Sequence, residues 1–318
     1  MTKTRVFFVS DVHGSDRLFY KFVNAAGVYK AQVLIIGGDI AGKAITPIFS
    51  EDGSAFVTEL QGIQKTASGK DQLEAIQKEI RAIGNYPYVT TRKDWAEATQ
   101  DEMRMDEIFD VLIVQSIERW CNVAKERLKS QNVKVFINKG NDDPKALEDA
   151  IRASDYVEYP NERIVNIDDK HEMLSLGYSN ITPWHLPGDI SEEEIERKLN
   201  EVARGLQNPE NSIFNIHVPP YNTHLDVAPK LDDSLRPILT PGGEPEFAHV
   251  GSTAVRKGIE TYKPLVGVHG HIHESKGYTK IGHTHCFNPG SEYAIGLLKG
   301  VILNFSDQKL DNHLFTSG

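Results

Sequence analysis

The sequence predicts a layered α/β fold, and three observations carry that expectation. Five short runs rich in β-branched or aromatic residues end abruptly in glycine or polar residues: "VFFVSDVHG", "VLIIGGD", "VFINKGND", "IFNIHVPP" and "LVGVHGHIH". Continuous apolar runs of that length, bounded by turn residues, fit strands buried on both faces of a sheet. Segments with apolar residues at helical spacing lie between them, and such alternation argues for helices layered on sheet. Finally, 318 residues with 39% hydrophobic and 25% charged content supply the core of a soluble globular protein. That length admits about two domains, or one large domain with an insertion.

The first run reads as an N-terminal strand that leaves Asp11 and His13 at its end, and the second ends in Gly38-Asp39. Residues 43–130 stand apart and read as a hairpin and helical insertion within a domain that otherwise spans 1–318. "PIFSEDGSAFVTEL" suits a hairpin turning at Asp52-Gly53. Leu73, Ile76, Ile80 and Ile83 then recur at helical spacing. From Tyr88 to Lys139 there is neither glycine nor proline, and Ile113, Ile117, Trp120, Ala124 and Leu128 continue the stripe. Such an element either caps the strand ends and restricts the substrate or forms a subunit contact, and its stripe alone does not choose between them.

The third run ends in Gly140-Asn141, and Asp143 before Pro144 suits either a helix cap or support of a site. Ser191 and Glu194 form a capping box ahead of Ile195, Leu199, Val202 and Leu206. The fourth run ends at His217 and the fifth at Gly270-His271-Ile272-His273. From Tyr278 onward, "HTHCFNPG", "YAIGLLKG" and "VILNFSD" follow in quick succession, which suggests antiparallel strands.

Charge and cysteine usage narrow the function. The net charge is −10, with no basic block, so nucleic acid and anionic membranes are disfavoured as partners. No apolar stretch approaches the length of a signal peptide or a membrane span. Cys121 and Cys286 make no CxxC pair and read as buried reduced thiols. A soluble, cytoplasmic protein is expected.

Each of the five strand ends releases a potential metal ligand, and none is a cysteine. In open α/β sheets, sites form outside the carboxyl ends of strands. The series D-x-H, G-D, G-N, a lone histidine and G-H-x-H, running from Asp11 to His273, resembles the calcineurin-like metallophosphoesterases. The stretches "HVPPYNTHLD", "HGHIHES" and "NPGSEY" look like that family too. The resemblance implies a layered sandwich of two mixed β-sheets flanked by helices. It also implies a dinuclear centre, with Asp11, His13 and His273 on one metal, Asn141, His217 and His271 on the other, and Asp39 bridging. Asp39, Asn141 and Asp142 would be its catalytic side chains.

Two divalent cations would outweigh the charges of Asp11 and Asp39, leaving a centre able to take a phosphate despite the acidic surface. Carboxylate, amide and imidazole donors suit Mn, Fe or Zn. The implied reaction is hydrolysis of a phosphate ester, diester favoured over monoester, by a hydroxide bridging the metals. A small phosphorylated substrate is the expected partner, with a homo-oligomer formed through the insertion. The alternative is a non-catalytic protein-interaction scaffold on the same fold. One departure matters: the family usually reads G-N-H-D or G-N-H-E where this chain has Gly140-Asn141-Asp142-Asp143. An ionised Asp142 repels phosphate unless the metals or a proton compensate, and it serves as an acid only with a raised pKa. His269 falls outside the motif and suits a packing role. Tyr221, Asn222 and His224 are weaker candidates for substrate contact, each with a structural reading beside the functional one. Trp184, His185, His283 and His285 are set aside.

Overall fold

The computed structural model describes residues 3–50 and 52–318. All five apolar runs become strands: Lys3–Val9, Val33–Ile36, Lys134–Ile137, Ile213–Ile216 and Val266–Val268. The first three lie side by side and parallel, Val6 opposite Val33 and Val33 opposite Lys134. Lys299–Ser306 and Lys309–Ser317 extend that sheet antiparallel from its Lys3–Val9 side. The other two runs belong to a six-stranded sheet in which Glu172–Leu176, Ile213–Ile216, Val266–Val268 and Thr284–Asn288 are parallel. Arg163–Asn166 and Gly277–Ile281 close its edges antiparallel.

Side-chain alternation explains why these runs are apolar throughout. Val6 and Phe8 pack between the sheets with Ile213, Val266 and Phe287. Phe7 and Val9 point the other way, among Phe19 and Phe22 of the helix Asp16–Tyr29 and Trp120 of the helix Glu102–Leu128. On the far side, Phe214 and Ile216 meet the helices Glu192–Ala203 and Thr253–Tyr262. The chain is therefore the expected sandwich of two mixed sheets with helices outside both. Each fully buried aromatic or aliphatic side chain contributes about 1.5–3 kcal/mol.

Local expectations fared unevenly. The Ser191 hydroxyl accepts from the Glu194 amide at 3.2 Å, one half of the capping box, while the Glu194 carboxylate turns to Arg197 instead. The third buried position of that helix is Ala203, since Val202 is only partly buried and Leu206 lies beyond the helix end. "YAIGLLKG" is not a strand: Tyr293–Ile295 forms a 3-10 turn that Gly296 ends at φ 71°, and strand resumes at Lys299. Nor is the tail purely antiparallel, because Thr284–Asn288 runs parallel to Val266–Val268. Cys121 and Cys286 are buried and free. Burial pushes their thiols up to about 11 and about 12, which makes poor nucleophiles of them.

Within residues 43–130, the part from Ala44 to Thr90 holds a second, smaller structure. Its sheet has the order Ile63–Ser68, Ala55–Leu60, Ala44–Phe49, Asn85–Thr90. The hairpin pairs Phe49 with Val57, its turn carrying Gly53 at φ 74° and Asp52 accepting from the Ser54 amide. Ile48, Phe56 and Leu60 pack with Ile76 and Ile80 of the helix Lys70–Ala82. The helix Glu102–Leu128 instead turns Ile113, Ile117, Trp120, Ala124 and Leu128 into the main core. Asp16, in the first turn of its helix, ties these parts together. It accepts from Trp120 Nε1 and Arg119 Nη2 and pairs with Arg81. Among the described residues no helix is long and apolar enough to cross a membrane.

One loop of the second sheet makes a pH-dependent contribution. Asp168 Oδ1 accepts from the amides of Lys170 and His171 at 2.8 Å and from the His171 ring at 2.9 Å. Burial opposes its charge, but His171 and the amides hold the carboxyl well below the usual range. A carboxyl depressed in the folded state stabilises the fold above its unfolded value of about 3.9, and that contribution fades as pH falls through the folded pKa. Asp168→Asn should therefore cost about 1–2 kcal/mol near neutrality. The gap in melting temperature from the unmodified protein should narrow steadily below about pH 4.

Candidate metal centre

The strand ends stay paired beyond the strands themselves, and this aims the polar side chains. The amides of Asp11 and His13 donate to the carbonyls of Gly38 and Asp39 at 2.9 and 3.0 Å. To do so the chain turns left-handed at Asp11, His13 and Asp39, and again at His271, with φ of 58°, 41°, 50° and 66°. Such backbone costs about 1–3 kcal/mol per residue without glycine's freedom, and it persists only where surroundings impose it. Asp143 is one source of that constraint. Fully buried, its carboxylate accepts from the amides of Ile40, Ala41 and Gly140, joining the loop of Asp39 to the loop of Asn141. It caps no helix, since the following helix Lys145–Arg152 has Pro144 at its N-cap. Close approach also needs glycine. A Cβ on Gly140 would lie 2.0 Å from Asp39 Oδ1, and one on Gly270 would lie 2.4 Å from Asp11 Oδ2.

The result is two groups of donors, each with all its ligand atoms within 4.8 Å of one another. Asp11, His13, Asp39 and His273 form one, and Asp39, His217 and His271 form the other. Nε2 of His13 lies 3.2 Å from Nε2 of His273, and the latter lies 3.4 Å from Asp11 Oδ1. His217 Nε2 is 3.3 Å from Asp39 Oδ1. Asn141 borders the same cleft. Its Nδ2 donates to Asp189 at 2.8 Å, so its Oδ1 is the atom left to face inward.

This donor set fits a divalent cation. Asn141 Oδ1, His13 Nδ1 and both ring nitrogens of His217 are buried without a hydrogen-bond partner. Buried polar atoms are rarely left so, at about 1–3 kcal/mol each, and two of them, Asn141 Oδ1 and the His217 Nε2 that faces Asp39, border the carboxylate-bearing pocket where a cation would sit. Imidazole, carboxylate and amide together suit a borderline divalent metal. Electrostatics agree. Burial works against ionised Asp11 and Asp39, yet His273 beside the first and His217 beside the second hold both carboxyls low, Asp39 well below the usual range. Burial also opposes a proton on His217, but Asp39 and Asp11 raise it to about 9. His13 and His271 are pushed down to about 4 by burial. Two interior carboxylates thus draw positive charge, and protons and metal compete for it.

Surrounding groups hold the donors. Tyr293 packs on the His13 ring at 4.4 Å between centroids, and Ser179 Oγ lies 3.1 Å from His271 Nε2. Within "NPGSEY", the Asn288 amide donates to the Gly270 and Ile272 carbonyls, and the Ser291 hydroxyl donates to the Asp11 carbonyl. His269 is packed as expected, its Nδ1 2.8 Å from the Ile216 carbonyl. Tyr221, Asn222 and His224 do not line the cleft, and His224 Nε2 instead meets the Tyr278 carbonyl at 2.6 Å.

The cleft above these donors encloses about 930 Å³ and is bordered by Lys43 and Phe109 of the 43–130 segment, which thus overlooks the site. Lys43 was not legible in the sequence. Its Nζ lies 2.7 Å from Asp142 Oδ2 and supplies the compensation that Asp142 lacks in the motif alone. Burial and Asp39 raise the Asp142 carboxyl against the pull of Lys43. Trp184, set aside in the sequence, also lines the cleft.

No family model matches this sequence. MJ1162, an uncharacterized protein of Methanocaldococcus jannaschii, is 34% identical over 164 residues, which make up 50% of this chain and 65% of that relative. The chain therefore matches less than two-thirds of the relative's length. One solved crystal structure aligns over 99% of both chains with a TM-score of 0.60 and 16% identity. TT1561 of Thermus thermophilus aligns over 100% of this chain and 99% of its own, with a TM-score of 0.55 and 12% identity. At these identities the likeness is one of fold, and it extends along the whole sandwich.

Proposed function

We propose that the protein is a calcineurin-like metallophosphoesterase that hydrolyses a phosphate ester using two divalent ions, Mn, Fe or Zn. The observation that carries this reading is Asp39, a carboxylate common to two donor groups drawn from separate strand ends. Asp11, His13 and His273 would hold one ion, Asn141, His217 and His271 the other, and Asp39 both. Ions bound there supply a hydroxide nucleophile at neutral pH and withdraw charge from the phosphoryl oxygens.

The chain's own residues set up the rest. Asp189 fixes which atom Asn141 presents, and Asp143 fixes where Asp39 stands. Lys43 neutralises Asp142, so an incoming phosphate meets an ammonium rather than a bare carboxylate. Asp142 in turn orients Lys43, and while it is paired as a carboxylate it holds no proton for the leaving oxygen. A diester, with a single negative charge, suits this acidic surround better than a dianionic monoester.

The test is to count metals in the purified protein and assay p-nitrophenyl phosphate and bis(p-nitrophenyl) phosphate. About two ions per chain are expected. Turnover should vanish on chelation, return with Mn²⁺ and favour the diester. Metal bound without turnover of any ester would overturn the enzyme reading in favour of a scaffold. Lys43→Gln should lower kcat/KM by about tenfold, mainly through KM, as expected for one charge-assisted contact. Adding Asp142→Asn should recover part of that loss.

A further inference from the structure

The floor of the cleft is polar, whereas its outer wall is largely hydrocarbon. Ile181, Trp184 and Leu186 line the wall from one loop, Leu231 and Val250 from a second segment, and Phe109 from the 43–130 segment. Ile181 and Trp184 are 54% and 55% exposed, so large apolar side chains are held in solvent beside a charged centre. Apolar surface rimming a polar site marks where a ligand sits.

Of the polar side chains on this wall, Thr182 and Asn180 are already engaged, which leaves Lys230 and Glu274 as its charged groups. The amide and hydroxyl of Thr182 both donate to Asp189. Asn180 Nδ2 donates to the Val250 carbonyl, and its Oδ1 accepts from Ser179. A nucleobase edge or a sugar would find few free partners here, while a hydrocarbon would displace water from the wall without leaving a polar group unpaired. The cleft is also far roomier than a phosphate group needs, being of a size that takes a drug-sized ligand.

We infer that the substrate is amphiphilic, a phosphate ester carrying an aliphatic hydrocarbon group that lies along Ile181, Trp184 and Leu231 while its phosphate sits over Asp39. The inference rests on the phosphoesterase reading above and goes beyond it in naming what the alcohol must be.

The test compares kcat/KM for p-nitrophenyl phosphodiesters of methyl, butyl and octyl alcohols, below their micelle concentrations, with the p-nitrophenyl diester of thymidine alongside. A fully buried methylene is worth up to about fourfold. With partial burial, kcat/KM should rise by at least about tenfold from methyl to octyl, and the octyl ester should exceed the thymidine ester. In Trp184→Ser the octyl-to-methyl ratio should fall at least about threefold, the loss of part of that buried area. Equal kcat/KM across the alkyl series, or a thymidine ester that outruns the octyl one, overturns the inference while leaving the phosphoesterase reading intact. No turnover of any ester overturns that reading and this one with it. Should the Trp184 variant fail to fold, the series on the unmodified protein still decides.

Discussion

Asp39→Asn should abolish ester hydrolysis and strip the centre of metal. The substitution keeps the side chain's shape, so its effect reports charge and ligation rather than a cavity. Asp39 is the residue that both donor groups contain, and it is one of two carboxylates set against two expected dications. Its loss weakens both ion sites at once and places an amide within reach of His217 Nε2, which now lies 3.3 Å from Asp39 Oδ1. Removing a mere orienting partner of a metal ligand costs about 10–100-fold, so losing a shared ligand should cost on the order of 10³-fold or more in turnover. Elemental analysis should find bound metal well below the level of the unmodified protein after identical purification. A variant that keeps both its metal and its rate would remove the basis for a two-ion centre here.

The candidate ligands were legible because each follows an apolar run that suits a buried strand, and each comes with a turn residue. That logic needs no knowledge of which strands are neighbours, and so Asp11, His13, Asp39, Asn141, His217, His271 and His273 could be named as candidates from their surroundings in sequence. What could not be read depends on contacts between distant segments. Lys43 acquires a role only once the 43–130 segment brings it to Asp142. Trp184 is an ordinary loop aromatic until the cleft forms around it. The small sheet was half visible for another reason. "IQKTAS" and "NYPYVT" are largely exposed or partly buried, so neither presents the apolar alternation that betrays a strand. The helix Glu102–Leu128 showed its stripe plainly, but a stripe does not say what covers it, and the answer was the main core.

Asp143→Ala should be the most destabilising single change near the site, and it tests whether the strained ligand loops are held from behind. The carboxylate accepts from three buried amides, Ile40 at 2.9 Å, Ala41 at 2.7 Å and Gly140 at 2.7 Å. Truncation leaves all three without that acceptor, at about 1–3 kcal/mol each. Two effects reduce the total. Burial and the nearby Asp39 push the Asp143 carboxyl up to about 7, so its charge is not wholly at ease there. Water entering the space left behind could also satisfy one amide. A net loss of about 3 kcal/mol is expected, visible as a lower melting temperature in metal-free buffer. Asp143→Asn should be no full rescue, because its NH₂ would confront a backbone N–H where the carboxylate offers a second acceptor. The consequence for the site follows from position alone. Asp39 sits one residue before Ile40, and Asn141 sits one after Gly140, so both loops lose their common anchor. Metal affinity should fall about 10–100-fold, as when the partner that orients a ligand is removed. If melting temperature and metal affinity both stay unchanged, the left-handed turns at Asp11, His13 and Asp39 must be held by something other than this buried carboxylate.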